Sequence, residues 1–237
     1  MNEARKMRLE KKLAGLSRTA HEPRVESGEP KGLCSKFAGA AWLKEGEKWP
    51  RCKGCKRPMH LLLQLLARDA PPGTVSLGEG AVLHIFHCGS TGRCDTGDST
   101  AAPGGTGVLM RVLEEKKLRP PGDVPDGGGL SKRIVGFESR AEVPGADDAE
   151  GAARFHAKEL RMMRASGPSG GTKLGGWADW IQRKHEAECR KCGNPMRFVL
   201  QLQSERHIAV GFGDSGLAYV HQCEAHPKEL AFSWSST

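Results

Sequence analysis

Two Cys-x-x-Cys pairs, Cys52/Cys55 and Cys189/Cys192, are each followed at a distance by one more cysteine, Cys88 and Cys223. A fourth donor then follows: Cys94 six positions after Cys88, and His226 three positions after Cys223. Two residues between cysteines let the backbone turn so that both sulfurs face one ion, and ligands from a distant hairpin close a tetrahedral site, the arrangement that suits zinc. The spacing predicts two Zn2+ sites, one of Cys52, Cys55, Cys88 and Cys94, the other of Cys189, Cys192, Cys223 and His226. His87, His185 and His221 are the alternative donors for the fourth positions. Only Cys34 is left outside. With four side chains each, neither ion keeps an open position for water or substrate, so the sites read as structural and as contributors to folding free energy. Disulfides are disfavoured, because the N-terminal stretch carries Glu3 and Glu10 and no apolar block before a cleavage site, which reads as a cytoplasmic chain. A redox Cys-x-x-Cys would open a helix after a strand, whereas these lead through Pro58-Met59 and Pro195-Met196 into strands.

The elements that hold these donors recur. Residues 35–43 lie over 172–180 at an offset of 137, and 52–65 over 189–202 at the same offset without a gap. At an offset of 135, residues 78–88 lie over 213–223, and the change falls in a loop, where length is cheap to alter. Each unit reads as a knuckle turn, a buried strand (59–65; 196–202), a Gly-containing turn and a second strand (81–87; 217–222), since short apolar runs bounded by turn signals favour strand over helix. A unit of about 55 residues buries too little surface to be stable alone, so the two are expected to pack into one domain. Gln64 and Gln201, inside apolar strands, are expected to bond to the backbone of the facing repeat.

The expected fold is α+β, mostly β: two pseudo-symmetric zinc-knuckle repeats in one compact domain over 31–237, with repeat one at 34–95, a connector at 96–170 and repeat two at 171–237. The connector is Gly/Pro-rich at 89–107 and 120–130, carries short strands at 108–113 and 132–137, and has a core-packing helix pattern at 148–165 with Ala152, Phe155, Met162 and Met163 near one face. Residues 1–30 read as a basic, disordered tail. The 237 residues carry a net charge of +8, and residues 1–25 hold seven basic against three acidic side chains, so half the excess sits there. Two loaded zinc sites would lower the total to about +5, leaving the folded body nearly neutral. The longest apolar stretch, Met59 to Ala67, is far short of a membrane span.

These motifs resemble the YwqG-like family of bacterial proteins of unknown function, from about residue 34 to the end. The likeness is carried by Lys173 to Trp177, Cys189 to Met196, Leu200 to Leu202, Gly213 to Gly216, Gln222 to Pro227 and Leu230 to Trp234, with Trp49 to Cys52, Cys55, Pro58 to Leu61 and Arg133 to Phe137 in the first half. Ala38 and Lys56 stand where Gly is usual and Ala178 where Pro is, which bears on turn geometry rather than on ligands. The family is similar in turn to the programmed cell death protein 2 group, associated with ribosomal-protein chaperoning and ribosome biogenesis; that remoter resemblance implies a duplicated β fold and a protein- or peptide-binding role.

The function expected is a zinc-stabilised, non-enzymatic module that binds a protein or peptide segment, for instance by adding a strand to a sheet edge. The alternative is an RNA- or ribosome-associated factor, or ribosomal-protein chaperone, acting through the basic tail; its stacking aromatics are few, since Trp177, Trp180 and Phe198 fall on repeat-core positions. Catalysis is the third reading, with Asp179, Asp214 and His185 as the group that would carry it, against which a Gly-Asp turn normally uses its carboxylate on nearby amides.

Overall fold

The four apolar runs are strands: β4 (His60–Leu66), β5 (Ala81–His87), β10 (Arg197–Gln203) and β11 (Leu217–Gln222). The computed structural model describes residues 14–89, 107–125, 129–145 and 168–237, together with Met7, Lys11, Lys12, Cys94, Gly105, Asp147 and Asp148. The other strands are β1 (Arg18–Ser27), β2 (Lys36–Phe37), β3 (Leu43–Lys44), β6 (Val108–Glu114), β7 (Leu118–Arg119), β8 (Lys132–Glu142), β9 (Lys173–Gly175) and β12 (Leu230–Ser235). Ten form one sheet in the order β12-β11-β10-β9-β1-β8-β2-β4-β5-β6, and β3 pairs with β7 apart from it. The sheet curls until its two edge strands approach, and Val108, Met110 and Val112 of β6 pack against the cluster that holds Leu230 and Phe232 of β12, which gives a nearly closed, barrel-like fold.

The strand order is the same kind of sequence read from either end, and the pairing details match at the spacing of 137. Lys36 faces Gln64 and Phe37 faces Leu63 between β2 and β4; Lys173 faces Gln201 and Leu174 faces Leu200 between β9 and β10. The ladder slips between Leu61 and Leu63 on one side and between Phe198 and Leu200 on the other. One core joins the two sides, with Phe37, Leu63, Leu83 and Ile85 in the same cluster as Leu174, Leu200, Val220 and Phe232. Neither side closes its core alone, as expected of units this small.

Two expectations change, that of the tail and that of the buried glutamines. Residues 18–27, assigned to a disordered tail, form β1 in the middle of the sheet, antiparallel to β8 along its whole length. Its sequence, Arg-Thr-Ala-His-Glu-Pro-Arg-Val-Glu-Ser, has no apolar alternation because only Ala20 is buried; its hold is the backbone ladder and cross-strand ion pairs, Arg133 to Glu26 at 2.7 Å and Arg140 to Glu22 at 3.1 Å. Pro23 is tolerated because β9 pairs with β1 only at Ala20 and His21, so the strand has one neighbour there instead of two. The strands expected in the connector are present, with β6 at the edge and β8, longer than expected, in the middle of the sheet. The fold is mostly β, with one-turn 3₁₀ helices at Ala67–Asp69 and Glu115–Lys117; the helix expected over 148–165 lies, Asp148 excepted, outside the described residues.

The buried glutamines bond within their own side of the sheet, not to the facing one. Gln64 Oε1 accepts from Trp42 N at 2.9 Å and Nε2 donates to Cys34 O at 2.8 Å; Gln201 Oε1 accepts from Asp179 N and Nε2 donates to Gly171 O, both at 2.8 Å. Each side chain ties the segment before its Cys-x-x-Cys to the strand after it.

His84 Nε2 also donates to Gln64 Oε1, at 3.1 Å, from a fully buried ring. Burial, then the Arg111 and Lys36 charges, lowers its pKa to about 3. A histidine whose folded pKa lies below its unfolded value near 6.5 is protonated first in the unfolded chain, so its share of stability is full above pH 6.5 and is lost as pH falls toward the folded pKa. His84→Gln keeps a donor for Gln64 and removes the titration. The fall in urea midpoint between pH 7.5 and pH 5 should therefore be smaller in the variant than in the wild type; an equal fall would contradict this account.

Candidate metal centres

The two knuckles fold by the same local bonds. Cys52 N donates to Arg57 O and Lys56 N to Cys52 O, both at 2.9 Å; Cys189 N donates to Asn194 O at 2.9 Å and Gly193 N to Cys189 O at 2.8 Å. Isolated bridges pair Arg51 with Pro58 and Glu188 with Pro195, and Met59 N and Met196 N close the loops onto Pro50 O and Ala187 O. The turn needs a left-handed residue after the second cysteine. Gly193 meets this with φ +71°, whereas Lys56 is held at φ +63°, and Ala38 likewise sits at φ +53°. The two departures from Gly noted in the sequence thus mark strained backbone, at roughly 1 kcal/mol each. Lys56→Gly should raise stability by about 0.5–1 kcal/mol without changing metal content, and Gly193→Lys should lower it; melting at fixed zinc concentration checks both.

All eight predicted donors come together as two quartets, Cys52/Cys55/Cys88/Cys94 and Cys189/Cys192/Cys223/His226, with the ligand atoms of each quartet within 4.8 Å of one another. Cys88 and Cys223 are delivered from the ends of β5 and β11, so each quartet brings the donors of a knuckle together with one from the second strand of its side. Sulfur separations in the first are 3.6 Å (Cys52 to Cys94), 3.4 Å (Cys55 to Cys88) and 3.7 Å (Cys88 to Cys94). In the second, Cys192 to Cys223 is 3.7 Å, and His226 Nδ1 lies 3.6 Å from Cys189 Sγ and 3.7 Å from Cys223 Sγ. An ion about 2.3 Å from each sulfur and 2.0 Å from the nitrogen, with tetrahedral angles, sets donors roughly 3.5–3.8 Å apart. The quartets fit such an ion.

The donor chemistry points the same way. All eight cysteines are free thiols. Hydrogen bonding from the Arg57 backbone, outweighing burial and helped by the neighbouring thiols, brings Cys55 down to about 6, while burial and the same neighbours push Cys94 up to about 12. Burial pushes Cys189 up most strongly, but the backbone amides of Lys191 and Cys192 and the Cys223 and Cys192 thiols together bring it down to about 6; burial and then Cys189 raise Cys223. Packed thiols cannot all ionise without a cation at their centre, and a divalent ion removes that conflict.

His87 and His221, offered as alternative donors, are buried packing residues. His87 lies edge-on to Phe212 at 5.5 Å, and His221 stacks on Trp180 at 6.0 Å, as does His185 at 5.8 Å. The sequence over residues 35–233 matches the family described as Domain of unknown function (DUF1963). The chain belongs to that family. No curated protein matches it. Within the DUF1963 domain, Asp179, Asp214 and His185 do not form a hydrogen-bonded group: His185 Nδ1 has no partner among the described residues, and Asp214 acts through its main-chain carbonyl, which accepts from Thr237 N and Oγ1 at 3.2 Å, rather than through its carboxylate.

Sequence reasoning missed two buried cations. Lys173 is fully buried, and its Nζ donates to Glu142 Oε1, Glu142 Oε2 and Ser169 O, each at 2.9 Å. Lys36, at the matching position, reaches Glu29 Oε1 at 3.1 Å and Ser131 Oγ at 3.3 Å. The glycines that follow allow these partners in: a Cβ on Gly39 would stand 1.9 Å from Ser131 Oγ, and one on Gly176 2.4 Å from Glu142 Oε2. The available signal was a lysine recurring at the spacing of 137 beside apolar residues and before Gly.

Proposed function

We propose that this DUF1963 chain is a zinc-stabilised, non-enzymatic module that binds a protein or peptide segment, built from two zinc-knuckle β repeats and working in the reducing cytoplasm. The observation that carries the reading is the pair of four-donor quartets, each supplied entirely by side chains. Sulfur-rich, tetrahedral donor sets favour zinc over oxygen-seeking ions, and a filled coordination sphere gives a staple rather than a Lewis acid open to substrate. The matched registers, ladder slips and glutamine bonds at the spacing of 137 support the duplication, and the YwqG-like resemblance agrees with it. The peptide reading is favoured over RNA because part of the basic tail has an internal use: Arg18 lies 3.4 Å over the Trp177 ring and Arg24 is within β1.

Elemental mass spectrometry of the purified full chain, with melting before and after chelation, tests the metal half of the reading. Two zinc ions per chain and a lower melting temperature after chelation are expected. A folded chain with no metal, or with unchanged melting after complete metal removal, would overturn it.

A further inference from the structure

The two edges of the ten-stranded sheet meet at a groove between the knuckles. Within the described residues β6 pairs only with β5 and β12 only with β11, so each keeps one open edge. Between them lies a cavity of about 240 Å³ with an apolar floor of Met59, Leu109, Met110 and Leu230. Its rim carries Arg51 and Lys53 from the first knuckle and Arg190 and Lys228 from the second side, all exposed. The facing carboxylate, Glu229, is already paired with Lys191 at 3.1 Å. Arg51 donates to the Lys56 carbonyl at 3.0 Å, while Lys53, Arg190 and Lys228 make no side-chain hydrogen bond or ion pair with a described residue. Every residue of β6 from Val108 to Leu113 is half-buried, as befits an edge strand covered on one face only.

An open strand edge is a template for a further strand, and alternate side chains of an added strand fall on opposite faces. An apolar floor beneath a rim of cations that lack a carboxylate partner among the described residues selects an extended segment that alternates apolar and acidic residues. Among the described residues the groove offers no aromatic ring on which a base could stack, which disfavours single-stranded RNA. We propose that the seam between β6 and β12 is the docking groove for an acidic, extended peptide, which pairs its backbone with the open edge of β6 and sets its carboxylates against Lys53, Arg190 and Lys228. The inference rests on the peptide-module reading and gives that reading a place and a ligand chemistry.

The test uses the full chain and a fluorescein-labelled decapeptide of alternating Glu and Val, with a Lys/Val decapeptide and a ten-nucleotide oligo-U RNA as comparisons. Fluorescence anisotropy at low salt should show binding of the acidic peptide alone, weakening as salt rises. Lys53→Glu combined with Lys228→Glu should reduce its affinity by about tenfold or more, because each reversal replaces an attraction with a repulsion. Hydrogen exchange in the unaltered protein should slow at residues 108–114 when the peptide is bound and stay unchanged in β1. Zinc content is measured on every sample. Two bound ions without peptide binding would overturn the seam and leave the metal staples standing, whereas binding with protected β6 in a chain without metal would do the reverse. Peptide binding of undiminished strength in the double variant, with β6 unprotected in the wild type, would keep a peptide module and move its site elsewhere. Preference for the RNA or the basic peptide would overturn the seam proposal.

Discussion

Cys52→Ser and Cys189→Ser should each reduce the bound metal from two ions per chain to one and lower the melting temperature. Structural zinc sites are worth about 10–16 kcal/mol in apparent binding free energy, which is comparable with the whole stability of a domain. Loss of even about 4 kcal/mol of this lowers Tm by roughly 8–16 °C for a chain of this length. The two sites should not respond equally. The first quartet sits in a cluster with Ala41, Leu43, Met59, Leu61 and Phe86, and Trp49 packs against it. Among the described residues the second has Ala187, Met196 and Ala231. With less apolar burial to hold its knuckle when the ion leaves, Cys189→Ser should cost more than Cys52→Ser. Elemental analysis and scanning calorimetry on the two variants check both statements; equal metal content in variants and wild type would reject the assignment of ligands.

Lys173→Met should destabilise by about 3–5 kcal/mol, the cost of leaving a carboxylate buried without its main counter-ion. Glu142 is 5% exposed, and besides the two bonds from Lys173 it receives Trp177 N at 3.0 Å and Arg140 at 2.7 Å, so it cannot turn to water when the lysine goes. Lys36→Met is the control. Its partner carboxylate, on Glu29, is 61% exposed and regains hydration freely, so the cost should be about 1 kcal/mol or less. Glu142→Gln added to Lys173→Met should recover part of the loss. Urea unfolding at constant zinc gives all the values. A Lys36→Met penalty as large as that of Lys173→Met would show that lysine burial itself, rather than the orphaned acid, sets the cost.

The eight residues of the two quartets were legible because a shared ion would impose spacing on the chain itself: two positions between cysteines are a local requirement. The strands β4, β5, β10 and β11 were legible because they are buried on both faces and so read as apolar runs. β1 was not, since a strand held by its backbone ladder and by ion pairs to β8 can be almost wholly polar. The acids that pair with Lys36 and Lys173 were hidden for a different reason. Glu29 precedes its lysine by seven residues and Glu142 precedes its own by thirty-one, so the two sides pair the same lysine with acids from unrelated places. Gln64 and Gln201 were recognised as needing partners, but the composition of a strand does not tell whether a buried amide bonds across to another unit or along to its own preceding loop.

The middle of the sheet also has a bearing on how the chain acquires its fold. Strands β2, β4, β5 and β6 are neighbours in the sheet and follow closely in the sequence, so that side can begin to assemble from contacts of short range as it leaves the ribosome. β1 is made before all of them, yet its partners along β8 lie more than a hundred residues downstream, and β9 comes later still. β1 must therefore wait for partners made long after it. Closing so long a loop is entropically costly and slow, and until β8 is made the edges of β1 and β2 stand open to other chains.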